Sequence, residues 1–244
     1  MNNKLFLEFD NYVKKFDLQN EKINDKYKHS YRVYEYAKDI ANSLKLSKED
    51  IALAMTCGLL NDIGRFSQIN DFDTIIDNVS VDHGDRGYNV LKENNYISKY
   101  TENEEEKEII LYVTKNHNKM IPEETFDERK KLFCNIIRDS AKLDILMTKG
   151  LEIDDNNYKI NRKCIEDIKS KKLCNNNSVQ SEIDNIIRML SFIYDINYNR
   201  SFEIILENHI VENKIDLIKK YVDNEELDII KEELISYMKE RLEC

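Results

Sequence analysis

With 244 residues the chain is long enough for one sizeable core, and its single proline and five glycines argue against a turn-rich β architecture. Acidic residues number 47 against 37 basic ones, so the net charge of −10 argues against a surface that binds large nucleic acids. The cysteines include no Cys-x-x-Cys pair, which argues against a disulfide framework or a thiolate zinc site and indicates reduced thiols in the cytoplasm: Cys57, Cys134, Cys164, Cys174 and Cys244.

The first helical pattern is the apolar face from Val33 to Leu44, with residues three and four positions apart. Ser47 is expected to cap a second helix that carries the run Ile51 to Leu60. Asn61-Asp62 would lie on the last turn of that helix, and Gly64 would mark its end. The run Ile51 to Leu60 is too short to cross a bilayer, so no membrane association is expected.

A loop is predicted from Ser67 to Ser80, and Asp82 is expected to cap the helix that follows. Glu104 to His117 forms another predicted helix, whose acidic start suits the helix dipole. A further helix is predicted from Asp127 to Thr148, ending at Gly150.

The rest of the chain completes an all-α prediction. Residues 152–163 and 169–177 are predicted as loops or weak helix ends, and the region from about 178 to 244 as helical. Charged residues interrupt the apolar residues at positions 1–16, so no signal peptide is expected there. We therefore expect a single domain over residues 1–244, in the cytoplasm.

Three of the four histidines lie in the N-terminal 150 residues, each beside carboxylates and each on a different predicted helix: His29, His83 and His117. A lone histidine on an apolar face is more often a core residue than a ligand. Asp139 is a stronger indication of a functional site, because it lies near the apolar face of its helix. Carboxylates are rarely buried without a partner or a metal. Together with Asp62, these groups indicate one shared site.

In chain order these residues are His29, Asn61-Asp62, His83, His117 and Asp139, an order that resembles the HD phosphohydrolase superfamily, where it runs His, His-Asp, His, His, Asp. The surrounding sequences are similar as well, including His-Ser-Tyr-Arg-Val, Gly-Leu-Leu-Asn-Asp-Ile-Gly-Arg-Phe and Arg-Asp-Ser-Ala-Lys-Leu-Asp. The similarity covers roughly residues 25–148. It implies an HD-type helical bundle, here with a C-terminal helical extension.

The resemblance also implies one or two divalent metal ions. It assigns His29, Asp62 and Asp139 to a first ion, and His83 and His117 to a second ion that Asp62 bridges. Imidazole and carboxylate ligands suit Mn²⁺, Fe²⁺ and Zn²⁺. Water activated by such ions would hydrolyse a phosphomonoester or phosphodiester of a small phosphorylated molecule, with a nucleotide as the expected substrate.

Asn61 departs from the family pattern, which has histidine there. An amide oxygen is a neutral and weaker ligand, so the first ion should shift toward Mg²⁺ or Mn²⁺. Three accounts stay open: a retuned enzyme, an impaired protein that binds a nucleotide or metal as a sensor, and an introduced substitution that traps substrate. A homo-oligomer is open as well.

Two basic residues complete the expected catalytic set with Asp62. Arg65 follows the doublet within Asp-Ile-Gly-Arg, where a helix end can aim it at the site. Lys142 lies one turn after Asp139. Both are expected to neutralise the charge of a bound phosphate.

Overall fold

The computed structural model describes residues 2–154 and 156–243, and within these ranges it contains α-helices and short 3₁₀ helices but no strand. The predicted all-α fold is therefore confirmed. The chain forms two compact units, Met1–Ala141 and Lys142–Cys244. The single domain over residues 1–244 stays a prediction, and the expectation of a reduced thiol at Cys244 falls outside the described residues.

No helix in the described part of the chain has both the length and the apolar character that crossing a bilayer requires.

Within the residues that the structure describes, the first unit contains six complete helices and most of a seventh. They are α1 (Asn2–Val13), α2 (Glu21–Ser43), α3 (Lys48–Leu60), α4 (Ile63–Phe72), α5 (His83–Lys92), α6 (Glu104–Asn116) and α7 (Glu128–Thr148). Helix α2 packs against α3 and α4, and α5 packs against α4 and α6. Helix α3 also packs against α6, so the ends of α3, α5 and α6 are held close together.

Side-chain caps fix where several helices of the first unit begin. The hydroxyl of Ser47 accepts a hydrogen bond from the Asp50 amide at 3.0 Å, which confirms the predicted cap of α3. The carboxylate of Asp82 accepts one from the Asp85 amide at 2.9 Å, which confirms the predicted cap of α5. Each cap satisfies a backbone donor that the helix itself leaves free. The caps thereby set the register of the residues that follow them.

The prediction that Gly64 ends a helix is wrong. Helix α3 ends at Leu60 and α4 begins at Ile63, so Gly64 lies in the first turn of α4. A Cβ atom at Gly64 would overlap the carbonyl oxygen of His83 and would lie 2.5 Å from the amide nitrogen of Gly87. The glycine is therefore required by the close approach of α4 to α5, and does not terminate a helix.

The predicted loop from Ser67 to Ser80 is also partly wrong, because α4 continues to Phe72. The helix ends at Asp73, whose φ of 49° is left-handed and whose amide donates to the carbonyl of Ile69. Only the remainder of the segment, which includes a 3₁₀ turn at Asp77–Val79, connects α4 to α5.

In its described part, the second unit contains the end of α7 and five further helices. These are α8 (Arg162–Lys169), α9 (Glu182–Ser191), α10 (Asn199–Glu207), α11 (Ile210–Lys219) and α12 (Glu226–Glu243). The expected C-terminal helical extension is thereby confirmed, with α8 as an additional helix between the two predicted loops.

Lys214 of α11 is buried in the second unit, with 2% of its surface exposed. Its ammonium group donates to the carbonyl oxygens of Lys149 and Gly150, just past the end of α7. Burial lowers the pKa of Lys214 to about 8. Neutralising helix-end carbonyls with a cation is favourable, while removing the cation from water is costly.

Candidate metal centre

The centre is built around Asp62, which lies between α3 and α4. Its backbone has φ −97° and ψ 18°, the sparsely populated region in which many site residues lie. Its side chain is 4% exposed. His83 is the first residue of α5 and His117 follows the last residue of α6. Because these helix ends meet, residues far apart in the sequence converge on one carboxylate.

One oxygen of Asp62 faces two imidazoles. Oδ1 lies 3.3 Å from Nε2 of His83 and 3.3 Å from Nε2 of His117. The two Nε2 atoms are 3.2 Å apart. The three residues are buried, and their ligand atoms all lie within 4.8 Å of one another.

The other ring nitrogens of the imidazoles already have acceptors. Nδ1 of His83 donates to Oδ2 of Asp77 at 2.7 Å, and Nδ1 of His117 donates to the carbonyl of Thr114 at 2.9 Å. With a proton on Nδ1, each neutral ring presents a lone pair at Nε2. Burial lowers the pKa of His117, which favours its neutral form.

Two imidazole lone pairs and a carboxylate oxygen therefore point at one small buried volume. Without a positive charge among them these acceptors repel, and a divalent cation satisfies all three. The donor set of two nitrogens and one oxygen suits borderline divalent ions. A carboxylate and a carbonyl that orient the ligating rings are the usual outer partners of such sites. These residues fit a metal ion.

The second oxygen of Asp62 has different neighbours. Oδ2 lies 3.0 Å from Nζ of Lys26 and 3.4 Å from Nε2 of His29. Burial raises the pKa of Asp62, but the charge of the nearby Lys26 opposes this effect, and the pKa lies well below its usual range. Asp62 is therefore an anion that can ligate a cation.

The remaining predicted ligands are also buried. His29 and Asp139 lie outside the group of three within 4.8 Å, and Asp139 is fully buried on α7. Asn61 is fully buried too, and in the described part of the chain neither its Oδ1 nor its Nδ2 has a hydrogen-bond partner. A buried amide without hydrogen-bond partners is unfavourable. Asn61 is therefore suited to bind a ligand, such as a metal ion, that is not part of the polypeptide.

Arg65 and Lys142 occupy different surroundings. Nη1 of Arg65 donates to Asp77 at 2.7 Å and to Gln68 at 2.7 Å, and its Nε lies 3.9 Å from Oδ1 of Asp62. Lys142 lies in the second unit, where its Nζ pairs with Asp195 at 2.7 Å. The catalytic roles of both residues stay predictions.

Sequence reasoning missed Lys26 and Asp77. Lys26 precedes His29 by one turn of α2, so the helical spacing already placed both on one face. Asp77 lies in a connection between helices, where no periodicity indicates the direction of a side chain. Only the fold places its carboxylate against His83 and Arg65.

A family model described as HD domain matches residues 27–157, which is more than half of the chain. Comparisons with curated proteins and with solved structures found no match.

Proposed function

The chain belongs to the HD domain family, a family of metal-dependent phosphohydrolases. On this basis we propose that it hydrolyses a phosphate ester of a small molecule, with a nucleotide as the expected substrate. One observation carries the proposal: the lone pairs of His83 and His117 and an oxygen of Asp62 converge in a buried group. Such a group has little structural use without a cation, because it gathers acceptors away from water.

Asp62, His83 and His117 would hold one ion, and the resemblance adds His29, Asn61 and Asp139 as ligands. A bound divalent ion would withdraw charge from the phosphoryl oxygens and lower the pKa of an attacking water. The polypeptide prepares the site by fixing both rings through Nδ1, which keeps the Nε2 lone pairs directed inward. It also keeps Asp62 ionised, through the charge of Lys26.

Two cations beside the carboxylate favour an anionic substrate. The side chains of Lys26 and Arg65 are 15% and 13% exposed, so both lie close to the boundary between the site and solvent. Their remaining N–H donors would neutralise phosphate charge. Lys142 is proposed for the same role. The net charge of −10 favours a small phosphorylated molecule over a large nucleic acid.

Asn61 favours a second candidate function, a protein that binds a nucleotide or a metal as a sensor without turning it over. The buried amide replaces the stronger imidazole donor of the family at this position, and weaker ligation would reduce the activation of water. Retention of the converging group of Asp62, His83 and His117 supports the hydrolase over this candidate.

Metal analysis combined with turnover tests the proposal. The metal content of purified protein would be measured, and Mn²⁺-dependent hydrolysis followed on nucleoside mono-, di- and triphosphates, cyclic nucleotides and bis(4-nitrophenyl) phosphate. Asp62→Asn should lower kcat by at least about 100-fold, because losing a ligand costs more than losing an outer partner. Asp85→Asn, the same change at a half-exposed carboxylate on α5, should leave kcat unchanged.

The results separate the two candidates. Turnover that requires metal and is lost in Asp62→Asn supports the hydrolase. Bound metal without turnover of any member of the panel contradicts the hydrolase. In that case, activity gained by Asn61→His identifies a silenced or trapped hydrolase, and its absence favours the sensor.

A further inference from the structure

The two carboxylate oxygens of Asp62 differ in the groups that lie next to them. On the Oδ1 side, the only hydrogen-bonding groups described within 3.5 Å are the Nε2 atoms of His83 and His117, which present lone pairs. On the Oδ2 side the ammonium of Lys26 already lies at 3.0 Å, closer than Nε2 of His29 at 3.4 Å. Among the described residues, the nearest cation of the polypeptide on the Oδ1 side is Arg65, whose Nε lies 3.9 Å from Oδ1, so only Oδ2 has such a cation in hydrogen-bond contact.

The charge of Lys26 opposes a metal ion at Oδ2. A divalent cation bound to that oxygen would lie within a few ångströms of a positive ammonium group, in a site that water screens poorly. Lys26 is well placed to stay there, because its side chain is only 15% exposed and α2 packs directly on α3 and α4.

The second feature on the same carboxylate is Asn61. The residue next to Asp62 in the chain is a neutral amide rather than an imidazole, so it adds little affinity that could overcome the repulsion from Lys26. A resident cation and a weak neighbouring ligand both act against a second ion. They do not affect the three ligand atoms at the other oxygen, which are Oδ1 of Asp62 and Nε2 of His83 and His117.

We infer that this protein binds one divalent ion, at Oδ1 of Asp62 with His83 and His117, and that the ammonium of Lys26 replaces a second ion at Oδ2. The inference rests on the metal site of the proposed function and narrows it from one or two ions to one. Lys26 thereby supplies the positive charge at Oδ2. Its two N–H donors not directed at Asp62 can bind a phosphate oxygen.

Mn²⁺ titration tests this inference without reference to activity. Stoichiometry would be measured by calorimetry on metal-free protein, and electron paramagnetic resonance would distinguish an isolated Mn²⁺ ion from a spin-coupled pair. Wild type should bind one ion and give the spectrum of isolated Mn²⁺. Lys26→Met combined with Asn61→His should bind two ions and give the coupled spectrum, while Asn61→His alone should still bind one.

Three further variants complete the test. Lys26→Arg keeps the positive charge and should bind one ion even if Lys26→Met fails to fold. Lys28→Met, the same change at an exposed lysine of α2, should leave stoichiometry and affinity unchanged. His83→Ala should lower the affinity for the single ion at least tenfold.

Two ions in wild type, or none, would overturn the inference. So would one ion in the folded double variant, or a bound ion whose affinity does not respond to His83→Ala. A single ion without hydrolysis of any phosphate ester would instead overturn the proposed function and leave the inference standing.

Discussion

Asp77→Asn tests whether the polypeptide prepares His83 to bind metal. The carboxylate of Asp77 accepts the Nδ1 proton of His83 at 2.7 Å, which leaves the Nε2 lone pair directed at the centre. An asparagine can present its NH₂ group to the same atom. His83 would then carry its proton on Nε2 and donate it to Asp62, 3.3 Å away, so a hydrogen bond would occupy the place of the cation.

The expected loss in metal affinity is about 10–100-fold, the usual cost of removing an outer partner of a ligating histidine. That corresponds to about 1.4–2.7 kcal/mol of binding free energy. The metal-free protein should lose about 1–2 kcal/mol of unfolding free energy, because the ion pair of Asp77 with Arg65 at 2.7 Å is lost while His83 gains a new acceptor. The variant should therefore fold and bind metal weakly.

Calorimetric Mn²⁺ titration and urea unfolding of the metal-free protein measure the two effects separately. Asp71→Asn is the matched control, because Asp71 pairs with Arg86 in a more exposed ion pair that does not contact the imidazoles. It should leave affinity unchanged and stability within about 0.5 kcal/mol. Unchanged affinity in Asp77→Asn, or an equal loss in Asp71→Asn, would refute the assigned tautomer of His83.

Three further predictions concern the fold. Gly64→Ala should lower the unfolding free energy, measured by urea denaturation, by at least about 2 kcal/mol. The loss should exceed that of Gly58→Ala. A Cβ at position 64 would lie 2.5 Å or less from backbone atoms, whereas the atom nearest to a Cβ at position 58 is 3.0 Å away. Equal costs would contradict the close approach of α4 and α5. Since burial lowers the folded-state pKa of Lys214 to about 8, the unfolded state binds more protons between pH 8 and its own pKa of about 10.4. Over that interval the unfolding free energy of wild type should rise by up to about 3 kcal/mol relative to that of Lys214→Met. A difference between the two proteins that does not change with pH would exclude the lowered pKa of Lys214. Ser47→Ala should cost about 1 kcal/mol by thermal or urea unfolding, because the Asp50 amide loses its acceptor, and a loss under about 0.3 kcal/mol would show that the cap is dispensable.

The features predicted correctly from sequence are the local ones. Apolar spacing identified the helical fold, and the side chains of Ser47 and Asp82 marked the starts of α3 and α5, because a cap needs only a few consecutive residues. Gly64 was misinterpreted because glycine marks helix ends in local reasoning, whereas its reason here is the backbone of His83 and Gly87 on another helix.

The candidate site divides in the same way. The types and order of the ligands were readable in the chain, and the structure brings Asp62, His83 and His117 together. The contacts of Lys26 and Asp77 were not readable, because an ion pair between helices depends on how those helices pack. For the same reason, the sequence could not show that each oxygen of Asp62 has its own set of neighbours.

The junction between α3 and α4 also makes the length of α3 a constraint in its own right. Helix α3 is fixed at its start by Ser47 and delivers Asp62 two residues after its end. Each residue added or removed within a helix turns everything beyond it by about 100° and moves it by about 1.5 Å. A single insertion in α3 would therefore rotate the carboxylate away from its partners without altering any ligand. The length of α3 therefore sets the position of Asp62, so substitutions within this helix are tolerated more readily than insertions or deletions.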